Sequence, residues 1–352
     1  MIIKPYLQLM VEQKASDLYL SAGSIPQLRV EGAPRPVGKK TMNPETVYKI
    51  AQELMNDRER RVYERRWQVD FSARVEEVGR FRVTVFRQRD QDALVVRYVQ
   101  PAVPRIRDLG LPTVLQDLAI HRRGLVLMVG STGCGKSTTL AAMLQHRNEH
   151  VPGHILTIED PIEFHLESQL AIVNQRELWV DAQSYTAALH SALRASPDVI
   201  MIGEIRDRET MTATMELAGT GHLVLATLHA NNAPQALDRI ASLFTPEQHK
   251  QLLMDLSLYL KGIVSQRLVV GRDGKRLPAV EVMLNTPYIA DLIAKGHFDK
   301  IKPAMEESKA RGMQDMDTVL YRMYQDELID MEEALAHADS RPNLEAKIHF
   351  TS

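Results

Sequence analysis

The run Gly130-Ser131-Thr132-Gly133-Cys134-Gly135-Lys136-Ser137-Thr138 sets two glycines five positions apart, ahead of a lysine and a hydroxyl residue. Phosphate chemistry asks for those residue types at that spacing. Glycines let backbone amides turn inward around phosphate oxygens, and the N-terminus of a following helix adds positive potential. Lys136 is placed to reach the β- and γ-phosphates, and Ser137 to hold Mg²⁺ through its hydroxyl. The whole run, 130–138, is the candidate nucleotide-binding segment. Cys134 within it reads as a tolerated small residue rather than a redox centre.

A second chemical signal lies at Val199-Ile200-Met201-Ile202, which ends in Gly203-Glu204. Parallel sheets place ligands at strand C-termini, so Glu204 is expected to orient or deprotonate the attacking water. Phosphate-loop enzymes commonly carry an Asp directly after such a run; here that place is Gly203, and the carboxylate comes one residue later. Magnesium then needs oxygen from elsewhere. Ile158-Glu159-Asp160-Pro161-Ile162-Glu163 offers Glu159, Asp160 and Glu163 at another strand end, although such acidic runs are more often solvated loops. His229 follows the apolar run 223–227 on the ligand side, where it would contact the γ-phosphate or couple it to neighbouring structure. His222, at the opposite end of that run, reads as structural.

These groups need a scaffold, and short apolar runs at 125–129, 155–158, 199–202 and 223–227 supply it. Apolar runs without alternation fit strands covered on both faces, hence a parallel α/β sheet. The first leads straight into the glycine loop, and 137–145 opens a helix. Beyond Pro246 the pattern turns mainly helical, with a hairpin at Arg272-Asp273-Gly274-Lys275. The start of the chain has another texture, with helical spacing over 5–14 and 44–66 and a strand at 18–20. Strands at 80–87 and 93–99 follow, joined as a hairpin. The division expected is an α+β N-terminal domain at 1–98 and a linker at 99–112, punctuated by Pro101, Pro104 and Pro112. An ATPase core at 113–285 and a helical C-terminal region at 286–352 complete it.

Composition narrows the function classes. The 352 residues carry 43 Lys plus Arg against 45 Asp plus Glu, a net charge of -2, which removes the basic excess that nucleic-acid binding usually brings. Hydrophobic residues at 44% and charged residues at 25% exclude a disordered or collagen-like chain. A single cysteine excludes a disulfide framework and any multi-cysteine zinc site, and makes a cytoplasmic address the default. No leader pattern and no apolar run of membrane-spanning length stands out, so the chain is expected to be soluble, or peripheral to a membrane at most.

Taken together and in order, GSTGCGKSTT, IEDPIE, DVIMIGEIRD and TGHLVLATLHANNA resemble the Walker A, Asp, Walker B and His boxes of the secretion ATPase superfamily. The phrases at 15–23 and 79–83 are similar to those of its PilT/PilU family of type IV pilus retraction ATPases. Tyr288-Ile289-Ala290-Asp291-Leu292-Ile293 stands where PilT-type proteins carry Ala-Ile-Arg-Asn-Leu-Ile. With Ala290 in the arginine's place, the chain looks closer to the PilU branch. The resemblance implies a PAS-like N-terminal domain, a RecA-like P-loop core, ATP and Mg²⁺ as ligands, and a homo-hexameric ring. Neighbouring subunits would lend arginines to the bound ATP, with Arg82 and Arg97 the first choices and Arg80 the third. It further implies twitching motility as the process, a PilT-type ATPase as working partner, and an inner-membrane platform protein at the cytoplasmic base of the pilus.

Three rival readings stand at this level, one of them an assembly-type ATPase that extends pili, which the missing cysteines disfavour. A ring-shaped nucleic-acid translocase would want a basic, aromatic-lined channel. Aromatic residues are only 5%, and the most basic stretch, 57–66, interleaves acids at helical spacing. Against a ring component that binds ATP without hydrolysing it stand the intact Lys136, Ser137 and, above all, Glu204, the group expected to act on water.

Overall fold

The structure, a computed structural model, describes residues 1–30, 32–99 and 103–351. Gln100, Pro101 and Ala102, part of the expected linker, lie outside the described residues. Two compact units are present: Met1–Ala102 with Glu163–His165, and Val103–Ile162 with Leu166–Ser352. Among the described residues, no helix is long and apolar enough to cross a membrane.

The first unit contains α1 (Lys4–Glu12), β1 (Asp17–Ser21), β2 (Gln27–Val30), β3 (Ala33–Pro36), α2 (Pro44–Leu54), α3 (Asp57–Arg66), β4 (Gln68–Val75), β5 (Gly79–Gln88) and β6 (Gln91–Val99). The strands form one antiparallel sheet in the order β3-β2-β1-β6-β5-β4. Period-two alternation buries Phe81, Val83 and Val85 on one face, against Leu7, Met10, Val47 and Ile50 from the helices. Arg80, Arg82 and Thr84 take the other face.

The single helix expected over 44–66 is in fact two. Met55 leaves the helical region with ψ 136°, and Asn56 starts again: its side chain accepts from Arg58 N at 2.9 Å and Glu59 N at 3.0 Å. Glu59 answers by accepting from Asn56 N at 2.7 Å. That reciprocal box overrides the continuous apolar spacing.

The second unit contains α4 (Val114–Ala119), β7 (Gly124–Val129), α5 (Lys136–His150), β8 (Gly153–Glu159), β9 (Ala171–Glu177), α6 (Tyr185–Ala192), β10 (Val199–Ile202), α7 (Arg208–Gly219), β11 (Leu223–Leu228), α8 (Ala233–Ser242) and α9 (Pro246–Tyr259). It continues through β12 (Leu260–Val270), β13 (Arg276–Leu284), α10 (Pro287–Ala294), α11 (Ile301–Glu306), α12 (Met316–Gln325), α13 (Met331–Ala336) and α14 (Arg341–Thr351). The sheet runs β13-β12-β7-β11-β10-β8-β9, parallel throughout except for the edge hairpin strand β13. Every residue of β7, β10 and β11 is buried, as strands covered on both faces require.

The four expected strands are therefore the centre of a sheet of seven. The missed strand β9 is largely polar, and β12 begins where α9 ends, with no turn residue between them. Val269 and Ala279 of the hairpin pack with Met316, Leu320, Leu335 and Leu344, so the C-terminal helices share a core with the sheet edge.

Candidate nucleotide site

The loop at 130–135 joins β7 to α5 at the C-terminal edge of the parallel strands. Two glycines are dictated by its shape. Gly130 has φ 147°, and a Cβ there would lie 2.5 Å from Cys134 Sγ and 2.6 Å from the Gln266 carbonyl oxygen. Gly135 has φ 91°, and its Cβ would lie 2.7 Å from Gln266 Nε2. Lys136 Nζ donates to the carbonyls of Gly130 and Ser131, both at 2.8 Å, so the cation rests inside its own loop. No side chain caps α5 among the described residues, and its first-turn amides stay available to an anion. Cys134 is buried, and burial pushes its thiol up, away from the thiolate that redox chemistry needs.

One residue of this loop's framework carried no signal in the sequence. Gln266 on β12, 3% exposed, donates from Nε2 to the Cys134 carbonyl at 2.7 Å and accepts from Thr139 Oγ1 at 2.7 Å. It stands 132 positions from Cys134, so no local pattern connects them.

Glu204 sits two residues past the end of β10, the strand that pairs with β11 in the sheet. Both of its oxygens are engaged: Oε1 accepts from His229 Nε2 at 2.7 Å and Oε2 from Arg206 Nε at 2.5 Å. The carboxylate hydrogen-bonded to Arg206 pushes that guanidinium further up. His229, just past β11, is thereby brought to Glu204, whereas His222 at the other end bonds the Leu217 carbonyl and Thr220. Gly203 has a steric cause: a Cβ there would lie 2.8 Å from the Tyr185 hydroxyl and 3.2 Å from the Ile158 carbonyl oxygen. Tyr185 is half-buried; burial first, then the charges of Asp160, Glu204 and Glu159, push its phenol up. Arg206 and Tyr185 complete this cluster and were not identified from sequence.

The acidic run does not converge. Glu159 is buried at the end of β8, accepting from Thr157 Oγ1 at 2.5 Å and Gln175 Nε2 at 3.0 Å. Asp160 is exposed beside it, while Glu163 is exposed and belongs with the first unit. Among the described residues no three His, Cys, Asp or Glu side chains form a metal cage. The donors here suit a Mg²⁺ that keeps its waters and takes most of its other oxygens from phosphate, with the half-buried Ser137 hydroxyl as the protein's own contribution.

The three arginines lie on one outward face of the first unit's sheet. Arg82 is directly opposite Arg97 across β5 and β6, and Arg80 stands two residues along from Arg82. Arg97 donates from Nε to the buried Asp17 at 2.9 Å. No ion pair to Arg80 or Arg82 occurs among the described residues. With Arg97 answered by Asp17, Arg82 is the member of the facing pair better placed to meet an acidic group from outside.

A cavity of about 620 Å³ opens from the loop, lined by Gly130–Cys134, Asn231, Gln266, Arg276, His337 and Asp339. Its far wall is the segment after α13, held by an ion pair of Arg267 with Asp339 and by Lys302, 2.8 Å from Asp317 and 3.4 Å from Asp339. Behind it, Glu281 of β13 accepts from Ala233 N at 2.9 Å. Its carboxyl is pushed up to about 7 by burial, an effect opposed by that amide and by Arg267 and Lys302 and reinforced by Asp339.

A family model described as type II/IV secretion system protein matches residues 1–325. The type IV pilus ATPase PilU of Pseudomonas aeruginosa is 48% identical over 347 residues, 98% of this chain and 91% of that protein. The pilus retraction ATPase PilT of the same organism is 40% identical over 334 residues, 95% of this chain and 97% of that one. A crystal structure of the pilus retraction motor PilT with bound ADP superposes with a TM-score of 0.91 at 38% identity, covering 97% of this chain and 98% of the other.

Proposed function

This chain belongs to the type II/IV secretion system protein family, and from that premise we propose that it is an ATPase motor that powers type IV pilus retraction. In this reading it works as a PilU-like subunit beside a PilT-type motor, in a homo-hexameric ring docked on an inner-membrane platform protein. Its place is the cytoplasmic base of the pilus. The observation that carries the chemistry is the shared edge of β7, β11 and β10, which brings the glycine loop, His229 and Glu204 to one side of the sheet.

The residues divide the work. The loop amides and the α5 N-terminus bind the β- and γ-phosphates, and Lys136 exchanges its loop carbonyls for phosphate oxygens. Ser137 would hold the Mg²⁺ that accompanies ATP, with Asp160 and Glu159 as further candidate oxygen donors, and the ion would supply charge neutralisation on the phosphates. Glu204 takes the proton of the attacking water, for which one of its oxygens must be released by Arg206 or His229. His229 then links the state of that carboxylate to β11. Arg82, with Arg80 beside it, is the candidate to stabilise charge on a neighbouring subunit's transferred phosphoryl group, Arg97 being tied to Asp17.

The test is the steady-state Mg²⁺-ATPase rate against protein concentration. Turnover per subunit is expected to rise with assembly, and Lys136→Ala and Glu204→Gln are each expected to lower it at least about a hundredfold. Mixing Arg82→Ala with Lys136→Ala should restore part of the rate if the arginine acts across subunits. Absence of both ATP binding and hydrolysis, with and without a PilT-type subunit, would overturn the reading.

A further inference from the structure

We propose that Gln266 is the positioning residue of the phosphate loop: its side-chain amide fixes the Cys134–Gly135 peptide so that the Gly135 N–H faces the phosphate site. The proposal rests on the nucleotide reading above and deepens it.

In a trans peptide the C=O and the following N–H point in opposite directions. Gln266 Nε2 draws the Cys134 carbonyl toward β12 at 2.7 Å, so the Gly135 N–H is turned away from β12. The Cys134 carbonyl can only accept, which settles which way the amide faces; the other end of the amide accepts from Thr139 Oγ1 at 2.7 Å and ties the loop's crown to the first turn of α5. The strand backbone is as close as the side chain. A Cβ on Gly130 would collide with the Gln266 carbonyl, and one on Gly135 with the Gln266 amide nitrogen. The glycines that begin and end the loop are thus both in contact with this one residue.

Burial gives the arrangement its force. The amide of a residue 3% exposed has no water to fall back on, and its hydrogen bonds go to the loop and to α5. Without the donor, the Cys134–Gly135 peptide is free to rotate. Its carbonyl oxygen would then compete for the space of a phosphate oxygen, as the Gly130 and Ser131 carbonyls already compete for Lys136. The lesion falls on phosphate binding, equally for ATP and ADP, and leaves the water-activating groups untouched. That is the signature of lost uniform binding, a change in KM with kcat preserved.

Gln266→Met is the discriminating variant, because it keeps the length of the side chain, brings no charge to the phosphate site and cannot donate to the Cys134 carbonyl. ADP and a non-hydrolysable ATP analogue are titrated calorimetrically into full-length protein, alongside ATPase kinetics and thermal unfolding without nucleotide. The expected result is a Kd for both nucleotides raised about tenfold or more, with kcat at saturation within about threefold. Thr139→Val removes only the far anchor and is expected to give a smaller rise of the same kind, which serves if the methionine variant is unstable. Wild-type Kd values in both variants would overturn the proposal while leaving the nucleotide site standing. A wild-type protein that binds neither nucleotide would overturn both.

Discussion

At the scale of single residues, the site is governed by what surrounds each functional group. Glu204 was recognisable from its place after an apolar run, but the reason Gly203 precedes it was not. Tyr185 fills the space a side chain at 203 would need. Gly203→Asp, which would restore the commoner acid after this strand, is therefore expected to cost about 1–3 kcal/mol of stability rather than to improve catalysis. Thermal unfolding measures this directly; a variant as stable as the parent would show that Tyr185 yields. The loop itself was legible because its residues are contiguous. Gln266 and Arg206 were not, the first because it arrives from a distant strand. The second escaped because an arginine two residues from a glutamate reveals no geometry in sequence. The partner of Arg97 was hidden for a related reason: only the strand register places Asp17 opposite it.

At the scale of elements, legibility followed burial. The strands β7, β10 and β11 are buried throughout and gave unbroken apolar runs, whereas β9 at the edge mixes polar residues and gave none. The split between α2 and α3 went unseen because apolar spacing continues across it while Asn56 and Glu59 act locally. Asn56→Ala removes the acceptor for two amides of α3 and the partner of Glu59. It is expected to cost about 1 kcal/mol, read as a lowered urea midpoint, with nucleotide affinity unchanged. An unchanged midpoint would mean that packing alone divides the two helices.

At the scale of the molecule, the C-terminal helices are joined to the nucleotide unit by charge as well as by packing. Arg267 and Lys302 gather Asp339 and Asp317 over the buried Glu281. The Glu281 carboxyl is raised from 4.5 to about 7, so the folded protein holds a proton over a range in which the unfolded chain has released it. Its contribution to stability is complete at low pH and falls as pH rises through about 7, by roughly 3 kcal/mol in total. Glu281→Gln keeps an acceptor for Ala233 N and removes the ionisation. Compared with the parent between about pH 5 and 8, the variant should gain stability progressively as pH rises. A gap independent of pH would show that Glu281 is charged throughout.

The buried sulfur of Cys134 has a practical corollary. As the chain's single thiol, closed in beneath the loop and holding its proton, it gives a quiet background for maleimide chemistry. Fluorophores can be attached at chosen surface positions without first removing a native cysteine. The slow reaction of the native thiol with a chromogenic disulfide then becomes a clock for opening of the loop, and one that bound nucleotide should stop.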